Sequence, residues 1–427
     1  MKIIYAKRKF VRENEEEGHV VNVYPECEMS PIIGFGSALT EATAYNYAQM
    51  SDNVKKKLLE KCFSSKGANY SYCRIHIGSC DFSLDERSYS KKADLSDFSI
   101  EPDRKYVIPF LRDVINASDR KIFFLASPWS PPAFMKDSGV LIQGGVLQKE
   151  FYPVYAEYFA RFIEEYKKEG VEISAVTVQN EPNASQTWES CRFTPEQEAE
   201  FATDYLRPTL DKHGLQDVKI LVWDHNKERL YDRTRDILSY PNSDKAVWGV
   251  GFHWYSGTHF DNISLVRQKF DKYVLGTELC CRFTKDKTAE NRDLRYANEY
   301  CNDLRFGVSG VCDWNMVLGD EKGGPYHNRG GGCSAPLYFD DKNDRIVEDG
   351  LFPVTKLFSK ACTMGDVSIA TSSYNPELQT CAIKHKDGSI TLIALNLSDR
   401  ELPVCLRLNG KVAKFKLPPK SLSANDL

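Results

Sequence analysis

Residues 173–182 read Ile-Ser-Ala-Val-Thr-Val-Gln-Asn-Glu-Pro, a short β-branched run that ends in an amide, a carboxylate and a proline. An apolar run of this length, bounded by polar residues and proline, predicts a buried β-strand. Residues 273–278, Tyr-Val-Leu-Gly-Thr-Glu, repeat the pattern and also end in a carboxylate. The chain therefore contains more than one predicted buried strand whose last residues are polar.

Runs of this kind recur between about Ile32 and Leu318, and segments of helical periodicity separate them. The eight predicted strands span residues 32–39, 70–78, 121–127, 173–179, 219–224, 248–254, 273–278 and 309–315. Parallel strands need helical crossovers, and closing the sheet leaves no exposed edge. The pattern therefore predicts an α/β fold, a (β/α)8 TIM barrel. A doubly wound sheet is the alternative, but residues 34–39 lack the full GxGxxG spacing of a phosphate loop.

Two helices of this region carry clear local signals. Thr194-Pro195-Glu196-Gln197 is a capping box with proline at the first helical position, and His213-Gly214 is typical of a helix end. Residues 151–166 place aromatic and aliphatic side chains at three- and four-residue spacing, which predicts a helix with one apolar stripe. We expect that stripe to pack on the sheet.

The sequence changes character after about residue 355, where short alternating strands follow one another. Asp387-Gly388 separates two such strands and predicts a hairpin. The first thirty residues carry similar strands and are expected to join the same unit. We therefore predict that residues 1–30 are N-terminal strands of an antiparallel β-sandwich, 31–355 form the barrel, and 356–427 complete the sandwich.

Composition limits the classes of function that are open. The chain has 427 residues, 42% of them hydrophobic, with a formal net charge of −4, a pI near 6.1 and no Lys/Arg-rich stripe. These values predict a soluble globular protein that does not bind nucleic acid. No run reaches the length of a membrane span. Thirteen cysteines without an export signal predict free thiols and a cytoplasmic protein, with non-standard export as the alternative.

Polar and aromatic residues follow most of the predicted strands. Since the active site of such a barrel lies at the carboxyl ends of its strands, these residues are the candidates for a site. Tryptophans offer flat apolar surfaces to a sugar ring, while Asp, Asn and His bind its hydroxyls. The strand ends are residues 74–81, 126–132, 180–181, 223–226, 253–255, 278 and 313–315.

Two of these residues, Glu181 and Glu278, are glutamates that end different strands. Glycosidic cleavage needs one protonated carboxyl and one ionised carboxylate, and this pair could supply both. A metal site is the rival chemistry, because His76, His225, His253 and several cysteines could bind an ion. The sequence has no HExxH, paired CxxC or His-x-His, which disfavours it.

Several ordered motifs resemble glycoside hydrolase family 30, the glucosylceramidase-like enzymes. They are Gly34-Phe35-Gly36-Ser37-Ala38-Leu39-Thr40-Glu41, Ser79-Cys80-Asp81-Phe82-Ser83, Ala126-Ser127-Pro128-Trp129-Ser130-Pro131-Pro132, Gln179-Asn180-Glu181-Pro182, His253-Trp254-Tyr255, Thr277-Glu278, Asp313-Trp314-Asn315 and Gly323-Gly324-Pro325. The resemblance covers nearly the whole chain. It implies a (β/α)8 barrel, a β-sandwich built from both chain ends, and a retaining double displacement without a metal or another cofactor.

The resemblance also implies roles for single residues. Glu181 would be the acid/base and Glu278 the nucleophile. The residues that would hold the terminal sugar are Asp81, Trp129, Asn180, Tyr255, Trp314 and Asn328. Arg74, His253 and Asn226 would support them. On physical grounds we expect Arg74 to keep Glu278 ionised, and a nearby carboxylate and aromatic rings to raise the pKa of Glu181.

Together these points predict a retaining exo-β-glycosidase that removes a terminal β-linked sugar, most simply glucose, from a small glycoside or a glycolipid. Two other hypotheses stay open on the same barrel. One is a β-1,6-glucanase or β-xylosidase, and the other is a carbohydrate-binding protein without catalysis. The identity of the sugar, its aglycone and the oligomeric state are outside what these residues indicate.

Overall fold

The computed structural model describes residues 1–14, 17–281, 291–319 and 333–427. Its strands are β1 (Lys2–Lys7), β2 (Val11–Arg12), β3 (Val20–Pro31), β4 (Gly34–Ser37), β5 (Tyr72–Ile77), β6 (Phe123–Pro128), β7 (Ile173–Thr177), β8 (Lys219–Asn226), β9 (Gly249–His253), β10 (Tyr273–Glu278), β11 (Gly310–Asp313), β12 (Val317–Gly319), β13 (Leu337–Asp340), β14 (Arg345–Glu348), β15 (Val367–Ser373), β16 (Leu378–Lys384), β17 (Ile390–Asn396), β18 (Leu402–Leu408), β19 (Lys411–Leu417) and β20 (Ser421–Asp426).

The α-helices lie mainly between the strands of the first three quarters of the chain. They are α1 (Glu41–Gln49), α2 (Asp52–Phe63), α3 (Glu101–Arg104), α4 (Val107–Ala117), α5 (Tyr152–Lys168), α6 (Pro195–Glu200), α7 (Arg207–Lys212), α8 (Leu230–Leu238), α9 (Ser243–Ala246), α10 (Asp261–Phe270), α11 (Arg292–Arg305) and α12 (Leu351–Ala361). Within the described ranges, no helix is both long enough and apolar enough to cross a membrane.

Eight parallel strands form the barrel sheet, in the order β4-β11-β10-β9-β8-β7-β6-β5. Backbone hydrogen bonds from Ser71 to Phe35 and from Leu39 to Arg74 connect β4 with β5 and bring the two ends of the sheet together. The eight predicted strands and the (β/α)8 fold class are thus confirmed. Strands buried on both faces produce the near-continuous apolar runs seen in the sequence.

A second sheet of nine strands contains both chain ends, in the order β1-β20-β17-β16-β15-β3-β18-β19-β2. The predicted hairpin at Asp387-Gly388 is present between β16 and β17. Two pairs, β1 with β20 and β3 with β18, are parallel rather than antiparallel. Each of them joins an N-terminal strand to a C-terminal one, so no hairpin fixes their direction. The three-stranded sheet β12-β13-β14 was not predicted.

The helices pack as their sequence signals indicated. The apolar stripe of α5 is buried, including Tyr155, Phe159 and Tyr166. The capping box at the start of α6 is formed, since Thr194 and Gln197 each accept from the other's backbone amide. These elements fix the crossovers around β7, the strand that precedes Glu181.

Candidate active site

A cavity of about 510 Å³ opens at the carboxyl ends of the barrel strands. Its volume lies in the usual range for small-molecule sites. The sequence predicted eight of the residues that line it: Asp81, Trp129, Asn180, Glu181, Asn226, Tyr255, Glu278 and Trp314. Strand register explains part of this convergence, because Asn226 on β8, His253 on β9 and Glu278 on β10 are direct neighbours across the sheet.

Glu181 lies in the loop that follows β7 and has a left-handed backbone, with φ of 47°. This conformation is uncommon for residues other than glycine and is held here by neighbouring strand ends. The amide of Glu181 donates to the carbonyl of Asp224 at 3.0 Å, and that of Asn180 donates to the carbonyl of Pro128 at 2.8 Å. The Glu181 side chain therefore projects from a loop anchored on both β6 and β8.

Glu278 is the last residue of β10, where the pairing with β9 is irregular. Its Oε2 accepts a hydrogen bond from Arg74 Nη1 at 2.8 Å, and its Oε1 accepts from the Tyr255 hydroxyl at 2.9 Å. Both carboxylate oxygens are thus engaged by donors. Such contacts fix the orientation of the side chain.

Arg74 on β5 is fully buried, and its guanidinium lies beneath the cavity and contacts several of the site residues. Its Nη2 donates to Asp224 Oδ2 at 2.7 Å and to Asn180 Oδ1 at 2.8 Å. Its guanidinium also lies 4.7 Å from the Trp129 ring centroid. Two carboxylates, Asp224 and Glu278, compensate the buried cation. Because its Oδ1 is bonded to Arg74, the amide nitrogen of Asn180 is the group left to face the cavity.

His253 joins the two glutamates to Asp224. Its Nε2 lies 3.1 Å from Asp224 Oδ1, and its Nδ1 lies 3.2 Å from Glu181 Oε1 and 3.9 Å from Glu278 Oε1. Burial disfavours the charged ring, but Glu278, Asp224 and Glu181 outweigh it and raise the pKa of His253 to about 9. The imidazolium is therefore the form that this cluster favours at neutral pH.

The prediction that the pKa of Glu181 is raised is wrong for the site without a bound substrate. Burial acts to raise it, yet the hydrogen bond and charge of His253 dominate and lower the pKa of Glu181 to about 2. Gln186 Nε2 adds a further donor to Oε2 at 3.1 Å. Since the two groups are in contact, they share one proton at neutral pH, and the geometry favours its residence on His253.

The same cluster bears on the metal hypothesis. Glu181, His253 and Glu278 each place one ligand atom within 4.8 Å of the others. A metal requires a neutral imidazole with a free lone pair. Both nitrogens of His253 face carboxylate oxygens, at 3.1 and 3.2 Å, which favours the doubly protonated ring. The arrangement therefore fits proton transfer better than metal binding.

Aromatic and polar side chains form the floor and wall of the cavity. Trp129 and Trp314 stack on each other with ring centroids 5.4 Å apart. One carboxylate oxygen of Asp81 is buried without a hydrogen-bond partner among the residues that the structure describes. Burial, with Glu278 nearby, raises the pKa of Asp81 well above its usual range. A hydroxyl-bearing ligand would satisfy this oxygen, as expected of a sugar-binding residue.

The remaining predicted residues occupy different places. Arg74 and His253 lie behind the cavity wall and contact the glutamates instead of the cavity itself. Asn328 lies outside the described residues. Trp254, also at a strand end, packs against Tyr296 and donates its indole N–H to a backbone carbonyl, so it belongs to the core.

Sequence reasoning gave several site residues no catalytic or sugar-binding role. Asp224, which accepts from Arg74, Thr177 and His253, holds the cluster together. A β-bulge at Trp223–Asp224 turns its carboxylate into the barrel. Its strand-end position was a usable signal. His225, next to Asp224 at the same strand end, was considered only as a metal ligand. The wall also contains seven residues whose positions gave no comparable signal: Gln186, Trp188, Cys280, Cys281, Arg292, Arg295 and Cys333.

A (β/α)8 barrel with two facing carboxylates, stacked tryptophans and hydroxyl-binding groups at its strand ends defines a barrel glycoside hydrolase. Two family models agree with this class. The "Glycosyl hydrolase family 30 TIM-barrel domain" matches residues 32–361, and the "Glycosyl hydrolase family 30 beta sandwich domain" matches residues 365–423. The chain belongs to glycoside hydrolase family 30, which confirms the resemblance read from its motifs.

Individual relatives are similar over most of their length. The lysosomal acid glucosylceramidase of Mus musculus is 30% identical over 411 residues, which are 91% of this chain and 79% of that protein. An endo-1,6-β-D-glucanase of Aspergillus fumigatus is 25% identical, covering 92% and 84% of the two chains. The crystal structure of SrfJ from Salmonella typhimurium has a TM-score of 0.93 at 31% identity, covering 96% and 93%.

Proposed function

We propose that this glycoside hydrolase is a retaining exo-β-glycosidase that releases a terminal β-linked glucose. The observation that carries the proposal is the spacing of the two glutamates, since one oxygen of Glu181 lies within 4.8 Å of one oxygen of Glu278. Retaining enzymes hold their carboxyl groups about 5–5.5 Å apart, whereas inverting enzymes separate them by about 6.5–9.5 Å. The similarity to a glucosylceramidase supports glucose as the sugar.

In the first step, the Glu278 carboxylate attacks the anomeric carbon while the bond to the leaving oxygen breaks. The leaving oxygen takes a proton from Glu181, so the products are a glycosyl ester on Glu278 and the free alcohol. Arg74 and Tyr255 hold the attacking carboxylate in place. The amide nitrogen of Asn180 is placed to bind the 2-hydroxyl, a contact that strengthens in the transition state.

In the second step, water attacks the same carbon from the face that the alcohol left. Glu181 now accepts the proton of this water, and the ester bond to Glu278 breaks. Two inversions give a sugar that keeps its β configuration. Proton NMR on the first minutes of hydrolysis of an aryl β-glucoside checks this step: the β anomer is expected first, and initial α anomer would contradict retention.

The proton for the leaving oxygen is held by the pair Glu181–His253. When the Glu278 charge is consumed in the ester, His253 loses one of the carboxylates that raise its pKa. The imidazolium then becomes more acidic and can return its proton through the 3.2 Å contact to Glu181. His253 is thus a positioning residue that acts through Glu181.

This role predicts a specific pH profile. As the pH rises through about 9, the pair loses its proton and kcat/KM should fall, because no acid remains. In His253→Gln, the proton is held by Glu181 alone. The pKa of this carboxyl group is lower than the value of about 9 that His253 reaches. The falling limb of kcat/KM should therefore move to lower pH by about one unit or more. Profiles of both proteins on an alkyl β-glucoside measure the shift.

His213→Gln is the matched control for that experiment. His213 also has both nitrogens 2.9 Å from carboxylates, Glu164 and Glu157, but it lies on the outside of the barrel. Its replacement should leave the profile unchanged. An unshifted basic limb in His253→Gln would show that His253 does not set the protonation of the acid.

The endo-1,6-β-D-glucanase relative favours a second candidate, cleavage inside a β-1,6-glucan. Hydrolysis of a β-1,6-linked glucose pentasaccharide, labelled at its reducing end, distinguishes exo cleavage from internal cleavage. The proposed exo action should yield glucose and the labelled tetrasaccharide as the first products. Labelled di- and trisaccharides appearing first would favour the glucanase. Faster hydrolysis of an aryl β-xyloside than of the β-glucoside would instead favour a xylosidase.

A further inference from the structure

Three thiols line the candidate active site, although the proposed mechanism uses none of them. They are Cys280 and Cys281, directly after β10, and Cys333. Cys280 belongs to the buried apolar cluster at this wall, and Cys333 packs against that cluster. Cys280 is buried, whereas Cys333 is only partly buried. The cavity wall therefore contains two neighbouring thiols, one of which is partly open to small molecules.

The backbone keeps this pair together. The amide of Ser334 donates to the carbonyl of Cys281 at 2.7 Å, and the amide of Cys281 donates to the Ser334 hydroxyl at 3.2 Å. The neighbouring residues, Cys280 and Cys333, are thus held opposite each other. The neighbouring Cys333, together with burial, raises the pKa of Cys280 well above its usual range. The Sγ of Cys280 donates to the Cys281 carbonyl at 3.4 Å, within the same short segment.

A second thiol pair provides an internal comparison. Cys301 on α11 and Cys381 on β16 belong to one buried core cluster, in which α11 packs on β16. Both lie in the core, with exposed fractions of 0% and 1%. An oxidant in solution cannot reach them without unfolding. The two pairs therefore differ in their access to solvent.

We infer that Cys280 and Cys333 form a redox modification site in the wall of the sugar pocket, which takes a small peroxide as its oxidant. Hydrogen peroxide oxidises Cys333 to a sulfenic acid and leaves as water. Cys280 then attacks that sulfur, a second water leaves, and a disulfide forms. Two thiols lose two electrons and two protons, while the peroxide is reduced to two waters.

The disulfide is expected to lower glycosidase activity, a consequence that rests on the proposed function. Cys280 is two residues after Glu278, so drawing it towards Cys333 moves the end of β10. Glu278 is positioned by single contacts with Arg74 and Tyr255. A misplacement of about 1 Å at a reacting group can lower a rate by about 10²-fold. In a reducing compartment the pair stays as thiols and the enzyme stays active.

The test oxidises the purified full chain with hydrogen peroxide, alkylates the remaining thiols and maps the peptides by mass spectrometry. A peptide pair joined through Cys280 and Cys333 is expected, with activity on an aryl β-glucoside lowered by about ten-fold or more and restored by dithiothreitol. Cys280→Ser and Cys333→Ser, each compared with its own untreated sample, should resist the loss. Cys301→Ser, in the core pair, should lose activity as the parent does.

Other results would overturn the inference. They are loss of activity without the joined peptide, equal loss in Cys333→Ser, or a bond between Cys301 and Cys381 in its place. If the reduced protein hydrolyses no glycoside, the proposed function fails. The peptide map still decides the thiol site in that case, because it does not depend on activity.

Discussion

Glu278→Gln should lower kcat on an aryl β-glucoside by about 10⁴-fold or more, because the amide cannot form the glycosyl ester. The substitution keeps the size of the side chain, so the loss reports chemistry and not a cavity. It also replaces one acceptor oxygen by a donor nitrogen facing Arg74 or Tyr255. Thermal unfolding measured alongside kinetics separates that local destabilisation from the loss of the nucleophile.

Asp271→Asn is the matched control, because Asp271 lies just before the opposite end of β10. It is almost fully exposed and has a left-handed φ of 50°, which asparagine tolerates. Its kcat should equal that of the parent. Hydrolysis by Glu278→Gln at a rate near the parent's would contradict the proposed nucleophile.

A smaller side chain makes the test more specific. In Glu278→Ala, the space left by the carboxylate can admit azide, which attacks the anomeric carbon in place of Glu278. A single inversion then gives the α-glycosyl azide from a β-glucoside. The α-glycosyl azide would show that azide attacks from the position of the Glu278 carboxylate. A β-glycosyl azide would contradict that role for Glu278.

The barrel was predictable because its signal is local. Each strand is buried on both faces, so each appears as an apolar run bounded by polar residues, as in residues 173–182. The nine-stranded sheet was only partly predictable. Its hairpin at Asp387-Gly388 carries a turn signal, while the pairing of β1 with β20 depends on residues that are far apart in the sequence.

The site was predictable to the extent that strand ends meet at one face of the barrel. That rule brought Glu181, Glu278 and the two stacked tryptophans together. It could not give the contact between Glu181 and His253, which depends on a loop with a left-handed backbone. The pKa of Glu181 was therefore predicted with the wrong sign, because the decisive neighbour was unknown.

The charges of the site explain why Asp224 is needed. Arg74 and His253 are buried cations, and they face the carboxylates of Asp224, Glu181 and Glu278. A buried cation without such partners would be costly. Asp224 contacts both cations and is not among the residues that line the cavity. It can therefore stay ionised throughout the proposed reaction, in which the charges on the two glutamates change.

Glu181→Ala should separate substrates by their leaving group. An alkyl glucoside needs protonation of its leaving oxygen, so its rate should fall by about 10²–10⁴-fold. A dinitrophenyl glucoside needs little protonation, so formation of the ester should be almost unaffected. Glu172→Gln, just before the opposite end of β7, is the control, since Glu172 is exposed and forms a surface ion pair with Lys121. Equal losses on both substrates would contradict an acid role for Glu181.

The same variant reports on the second step. Without Glu181, water lacks its base and the glycosyl ester on Glu278 should accumulate, which intact-protein mass spectrometry detects. Azide needs no base and should attack that ester after the first inversion, giving the β-glycosyl azide. Glu181→Ala and Glu278→Ala should thus form azides of opposite configuration. If the two glutamates had exchanged roles, the two configurations would be exchanged as well, so the pair of products assigns each role independently of any rate.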